Sequence, residues 1–267
     1  MNFTRLIAEL ENSIHENKDK YENVNNIYLK RHKKRYVHTI NLLQRINNKG
    51  KVLELGSFPH HIMFLLTKLG YNATSIDLDT KRMSKFIKAN NLKVIQCDIE
   101  QEKWPLKDNS IDVILFNEIF EHLANPIHAL LEANRVLKKE GTMMLTTPNL
   151  YYFPRILLYL TGKGAMSEAF YEFSKKYKIE SMGHFREYTT PEIRNFLVNT
   201  NFVVRKILYA RYEPTRLKTH GVLNIPIDII TNLFPNLKPH QIFITGKSKT
   251  PRAHVLKNLS DIRKITI

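Results

Sequence analysis

This 267-residue sequence predicts an α/β fold: a mostly parallel sheet with helices on both faces, preceded by a helical extension. Three observations carry the prediction. From Lys51 onward, short β-branched runs alternate with amphipathic stretches, the texture of βαβ units. Several of those runs end in a carboxylate followed closely by a turn, as in Glu54-Leu55-Gly56, Ser75-Ile76-Asp77 and Cys97-Asp98-Ile99. Residues 1–46 are polar, with Leu6, Ile7 and Leu10 at helical spacing.

Strands are expected at Lys51–Leu55, Ala73–Asp77, Lys93–Cys97, Ile111–Phe116 and Gly141–Thr146. Helices fall between them near Pro59–Leu69, Thr80–Asn90 and Pro126–Val136. The last has Pro126 at its first position and Asn125 placed to cap its orphan N–H groups. Leu137–Gly141 reads as a turn into the next strand. After Asn149 comes an aromatic-rich insertion, about residues 150–185, with Tyr151, Tyr152, Phe153, Phe170, Tyr171, Phe173 and Tyr177. Such a segment past a strand is expected to be a lid or substrate wall. For its first three aromatics, ring stacking on an acceptor and plain core packing are both open. A helix restarts at Thr189-Thr190-Pro191-Glu192, where either threonine can cap. Strands at Phe202–Tyr209 and Gln241–Thr245 finish the sheet. Between them lies a second insertion, about 211–240, whose Leu223–Phe234 stretch reads as a packed helix, a dimer contact or a segment resting on a membrane. This divides the chain into an extension (1–46), a main domain (47–248) and a basic tail (249–267).

Composition narrows the function classes. The length suits one α/β domain with extensions, and a 43% hydrophobic content excludes wholesale disorder. Cys97 is the single cysteine, which excludes a disulfide framework and a Cys-rich zinc module and fits a reducing compartment. The first twenty residues lack the apolar core of a signal peptide. The apolar stretches Tyr151–Leu160 and Ile225–Phe234 are broken by Arg155 and by Pro226 and Asp228, so a cytoplasmic location is expected. A net charge of +16 points to a polyanionic partner, RNA or the inner face of a membrane. It is densest at Lys30-Arg31-His32-Lys33-Lys34-Arg35 and over Lys247–Lys264, stretches that equally read as solvated helix faces.

The carboxylates at three successive strand ends are the chemical signal. In a doubly wound sheet these ends open on one crevice, where nucleotide-like ligands bind. Asp77 can accept both hydroxyls of a ribose, and Asp98 can accept from an adenine amino group. With Glu54-Leu55-Gly56, Asp112–Glu118, the Leu137–Gly141 turn and Thr146-Thr147-Pro148-Asn149, the chain resembles the class I S-adenosylmethionine-dependent methyltransferases. The resemblance covers roughly Lys51 to Gln241. It implies a Rossmann-like seven-stranded sheet with the last strand antiparallel. It also implies S-adenosylmethionine as cofactor, held by Glu54, Gly56, Asp77 and Asp98 with Ser57, Leu78, Ile99 and Asn117 beside them. The family's usual second and third loop glycines are Phe58 and His60 here, a departure that argues against a dinucleotide.

Past the fourth strand, Asn117-Glu118-Ile119-Phe120-Glu121-His122 puts Glu118, Glu121 and His122 on one face if a helical turn begins there. This string resembles the metal motif of small-RNA 2′-O-methyltransferases and ubiquinone-pathway O-methyltransferases. By that resemblance His184 completes a ligand set of Glu118, Glu121, His122 and His184 for Mg or Mn. Without a metal, His122 or His184 is the candidate general base, and Glu118 a further catalytic candidate. The amino-methylating Asn/Asp/Ser-Pro-Pro-aromatic motif is absent, which tilts the acceptor towards oxygen. Three readings stand: methylation of a hydroxyl on a saccharide or small metabolite, 2′-O-methylation of RNA, and a non-catalytic binding subunit that kept the fold.

Overall fold

The computed structural model describes residues 3–18, 21–46, 50–162, 183–212 and 224–248. The aromatic positions Phe170, Tyr171, Phe173 and Tyr177, and the basic tail 249–267, lie outside these residues. Two N-terminal helices, α1 (Phe3–Glu16) and α2 (Glu22–Ile46), precede β1 (Lys51–Leu55), α3 (His61–Lys68), β2 (Asn72–Asp77), α4 (Ser84–Ala89) and β3 (Val94–Gln96). Then come β4 (Ile111–Asn117), a 3-10 turn (Phe120–His122), α5 (Pro126–Val136), β5 (Leu137–Pro148) and α6 (Phe153–Leu160). The last described elements are α7 (Thr190–Asn199), β6 (Phe202–Ala210), α8 (Asn224–Leu233) and β7 (His240–Lys247).

The strands form one sheet in the order β3-β2-β1-β4-β5-β7-β6, with β7 antiparallel to both neighbours and the pairs from β3 to β5 parallel. Strand β4 shows why the sheet is covered twice. Its Val113 and Leu115 pack with α1–α3, while Ile114 and Phe116 pack with α5 and α7; all four are fully buried. Burial of each contributes roughly 1.5–3 kcal/mol. The reversal of chain direction at β5 puts the start of β7 beside the end of β5, Pro148 facing His240. Both ends therefore lie on the edge where β1, β2 and β4 also terminate.

Three local expectations are corrected. Asn125 precedes α5, yet its side chain makes no cap; its N–H donates instead to Glu100 Oε1 at 2.7 Å. Leu137–Gly141 is not a turn, because the chain passes from α5 directly into β5. There the register shifts between Ile111 and Val113, absorbing the extra residues as an irregularity. The Thr80–Asn90 helix begins only at Ser84, since Met83 sits at φ 56° and cannot continue a right-handed helix backwards. At α7 the two threonines separate: Thr189 is the cap, and with Glu192 it completes a capping box. Leu10, Ile14, Leu29 and Ile40 of the N-terminal extension share a core with Met63, Phe64 and Val52.

Candidate active site

A cavity of about 310 Å³ opens at the carboxyl edge of β1, β2 and β4, at the small end of the ligand-pocket range. Glu54, Gly56, Ser57, Asp77, Leu78, Asp98, Ile99 and Asn117 all line it, as do Glu118 and His122. The parallel topology brings them together from four strand ends distant in sequence.

The loop after β1 is built around Gly56, at φ 60°, where a Cβ would lie 2.3 Å from Ile119 Cδ1, so a side chain there would be strained and would have to displace Ile119. Phe58 and His60 play different parts from the glycines they replace. His60 is buried, with Nδ1 2.8 Å from Ser57 Oγ, and does not line the cavity. Phe58 is a cavity wall. Its ring stacks under the Arg82 guanidinium at 4.4 Å, and its N–H donates to Asp77 Oδ2 at 2.8 Å. Space remains beside Asp77, whose Oδ1 also takes the Asp79 N–H at 3.2 Å and Arg82 Nη2 at 3.4 Å. Asp98 Oδ1 accepts the Glu100 N–H at 2.8 Å, fixing the turn past β3.

One wall has no counterpart among the sequence-predicted residues. Tyr28, Arg35 and Tyr36 of α2 line the same cavity, their spacing of seven and eight placing them on one helix face. Tyr36 OH lies 3.2 Å from His61 Nδ1, and Arg35 Nη1 lies 3.5 Å from Glu118 Oε2. His240, from the start of β7, approaches the same Glu118 oxygen at 3.3 Å. Arg35 thus leaves the exposed basic cluster to which its sequence position assigned it. A polar helix carrying two tyrosines one residue over two turns apart was the available sign.

Burial sets the electrostatics. It pushes the Glu54 carboxyl well above the usual range, and Asp77 pushes it further. Burial alone would raise Glu118 too, but His240 and Arg35 outweigh it and hold that carboxyl well below the usual range. Burial and the neighbouring Glu118 charge drive Glu121 upward. Burial, then His122, lowers His184 to about 4. Glu54 Oε2, Glu118 Oε1 and both polar atoms of the Asn117 amide are buried without a hydrogen-bond partner. Orphans of this kind at a cavity lining are what a polar ligand would satisfy.

The expected four-residue ligand set divides. Glu121, His122 and His184 offer ligand atoms that all lie within 4.8 Å of one another, whereas Glu118 is engaged by Arg35 and His240 instead. The physical reason is backbone: Glu118 sits at φ 52°, so residues 118–122 are not one helical turn, and the 3-10 turn starts at Phe120. His122 Nδ1 lies 3.3 Å from the Gly183 carbonyl and His184 Nδ1 3.2 Å from Glu187 Oε1. With the proton on Nδ1 in each ring, Nε2 carries the lone pair. Glu121 Oε2 accepts from Thr147 Oγ1 at 3.0 Å, and Oε1 lies 4.0 Å from His122 Nε2. A carboxylate and two imidazoles of this kind fit a hard or intermediate divalent cation.

Residues 53–145 match the family described as a methyltransferase domain. The structure resembles that of an S-adenosylmethionine-dependent methyltransferase from Archaeoglobus fulgidus, with a TM-score of 0.57 and 16% identity over 86% of this chain and 100% of that one. The fold is that of the class I S-adenosylmethionine-dependent methyltransferases. Two curated relatives match parts of this chain. The uncharacterized protein MJ1123 of Methanocaldococcus jannaschii is 32% identical over 116 residues, 41% of this chain and 50% of that protein. The ubiquinone biosynthesis O-methyltransferase of Rickettsia akari is 24% identical over 189 residues, 68% of this chain and 69% of that one. The chain therefore spans about half the length of the first and about two thirds of the second. The methyltransferase fold explains why the strand-end carboxylates converge, since this sheet order opens its crevice between β1 and β4.

Proposed function

We propose that the protein is a cytoplasmic enzyme transferring the methyl group of S-adenosylmethionine to a hydroxyl oxygen of a saccharide or small metabolite. The observation that carries this reading is the cavity at the strand ends, whose orphaned buried atoms on Glu54, Asn117 and Glu118 match a ligand with many polar groups. When bound, the cofactor supplies an electrophilic methyl on a sulfonium. Asp77 and Asp98 would accept from its hydroxyl and amino donors, Leu78 would supply apolar surface beside them, and Asn117 would offer both a donor and an acceptor.

Oxygen as the acceptor atom is supported by the group beyond the cavity. A neutral alcohol is a poor nucleophile, so a proton must leave as the new bond forms. His122 lines the cavity and its ring centroid is 4.8 Å from that of His184, so either imidazole can take that proton. The relationship to a protein named as an O-methyltransferase agrees with this atom choice. Glu121, His122 and His184 are the residues that would hold Mg or Mn, where a cation supplies Lewis acidity to the acceptor oxygen.

Calorimetric titration with S-adenosylmethionine is expected to show one binding event. Transfer of labelled methyl to fractionated cell extract should then yield a product carrying a new O–CH3 group. No binding would leave the non-catalytic reading. Chelation is expected to abolish transfer and Mn or Mg to restore it, with His184→Ala beyond rescue. Full activity in chelator removes the cation and leaves the imidazoles as proton acceptors.

A further inference from the structure

Helix α6 ends in Leu157-Leu158-Tyr159-Leu160, and the whole of this last turn faces solvent, Leu160 at 78% exposure. Against α6 packs α8, whose Ile229, Leu233 and following Phe234 are 55%, 70% and 57% exposed. Large aliphatic side chains left in water on two adjoining helices mark an interaction surface. Their position is set by topology. Helix α6 leaves the carboxyl end of β5, and α8 leads into the start of β7, which faces that end. Both therefore sit on the sheet edge where the cavity opens.

Helix α2 covers the same edge through Arg35–Glu118 and the His38–Tyr212 ring contact. Its outer positions Lys30, Arg31, Lys33 and Lys34 are exposed and form no ion pair among the described residues. Ile27, one turn before them, is 52% exposed. Cations without carboxylates on a chain of net charge +16 call for an anionic partner. A nucleic acid would meet the cations but leave Leu160, Leu233 and Phe234 in water. An anionic bilayer surface satisfies both.

We propose that this edge docks on an anionic membrane surface, α6 and α8 inserting their exposed aliphatic side chains at the interface while the α2 cations meet lipid phosphates. No helix among the described residues is long and apolar enough to cross a membrane, so the contact is peripheral. It presents the cavity mouth to the bilayer, and an acceptor carried on a lipid would meet the site there.

The full chain is tested by co-sedimentation with vesicles of phosphatidylcholine alone or mixed with phosphatidylglycerol. Binding to the anionic vesicles is expected to exceed that to the neutral ones by at least about tenfold. Leu160→Asp with Leu233→Asp should weaken it by at least about tenfold, and Lys33→Gln with Lys34→Gln by about thirtyfold. These positions are exposed, so unchanged melting temperature and S-adenosylmethionine titration are expected to show each variant folded. Failure of the wild type to bind anionic vesicles overturns the proposal, as does equal binding by the Leu variant. RNA binding lost in the Lys variant without vesicle binding overturns it in favour of a nucleic acid. A dimer dispersed by Leu160→Asp without vesicle binding assigns the face to a second copy instead. The cofactor titration reports on the reaction and the vesicle assay on this surface, so either can fail alone.

Discussion

The Asp77 carboxylate already receives the Phe58 and Asp79 N–H groups and the Arg82 guanidinium. It is a positioned, charged acceptor in the cavity lining rather than a group searching for a partner. A carboxylate offers about four lone-pair directions, so capacity remains for a ligand hydroxyl. Asp77→Asn keeps the shape and loses the charge. S-adenosylmethionine affinity, read by calorimetry, is expected to fall at least about tenfold, roughly 1.4 kcal/mol; an unchanged value would remove Asp77 from the ligand contact. Cys97 behaves differently in the same lining: burial and Glu102 push its thiol up to about 12, so it stays protonated and packs as an apolar group.

Helix α2 does what its polar composition conceals. One face buries Tyr36 and Arg35 against the cavity while the opposite face keeps lysines in water. Burial works against the Arg35 charge, but the Glu118 carboxylate more than offsets it, leaving its pKa raised. The pair ties the extension to the end of β4. Arg35→Met strands Glu118 with His240 alone, and a loss of up to about 3–5 kcal/mol is expected in urea unfolding. The double variant Arg35→Met, Glu118→Gln should regain much of it, because neither charge is then left unpaired. Wild-type stability in the single variant would show that α2 is held by apolar packing only.

Across the molecule, acid sensitivity follows from buried imidazoles at His60 and His61 and half-buried ones at His32 and His184. Burial penalises the imidazolium, lowering His32 and His61 to about 3 and His60 and His184 to about 4. Unfolded histidines titrate near 6.5, so below that pH the unfolded chain binds more protons than the folded one. The share of stability these four histidines contribute is therefore full above pH about 6.5 and declines as pH drops towards about 4, each group adding up to about 1.4 kcal/mol per pH unit. The raised Glu54 and Glu121 carboxyls act in the opposite sense, their contribution being lost as pH rises. Urea midpoints of the wild type and a His61→Gln variant, measured between about pH 8 and about pH 4, test this; identical pH profiles for the two would contradict the burial of that ring.

The strand pattern and the Glu54, Asp77 and Asp98 strand ends were legible from residue order, because β-strand period and strand-end carboxylates are local properties that topology only gathers. The restart of a helix at Thr189-Thr190-Pro191-Glu192 was legible for the same reason, while which threonine caps it was decided by the Thr189–Glu192 box in the folded chain. Long-range contact decided the rest. Arg35 left the basic surface because its helix face met Glu118, more than eighty positions away. Glu118 left the ligand group because a left-handed backbone at φ 52° directed the chain elsewhere before the 3-10 turn. Such outcomes depend on which buried charge finds which partner, and a burial penalty exists only once the chain has closed around it.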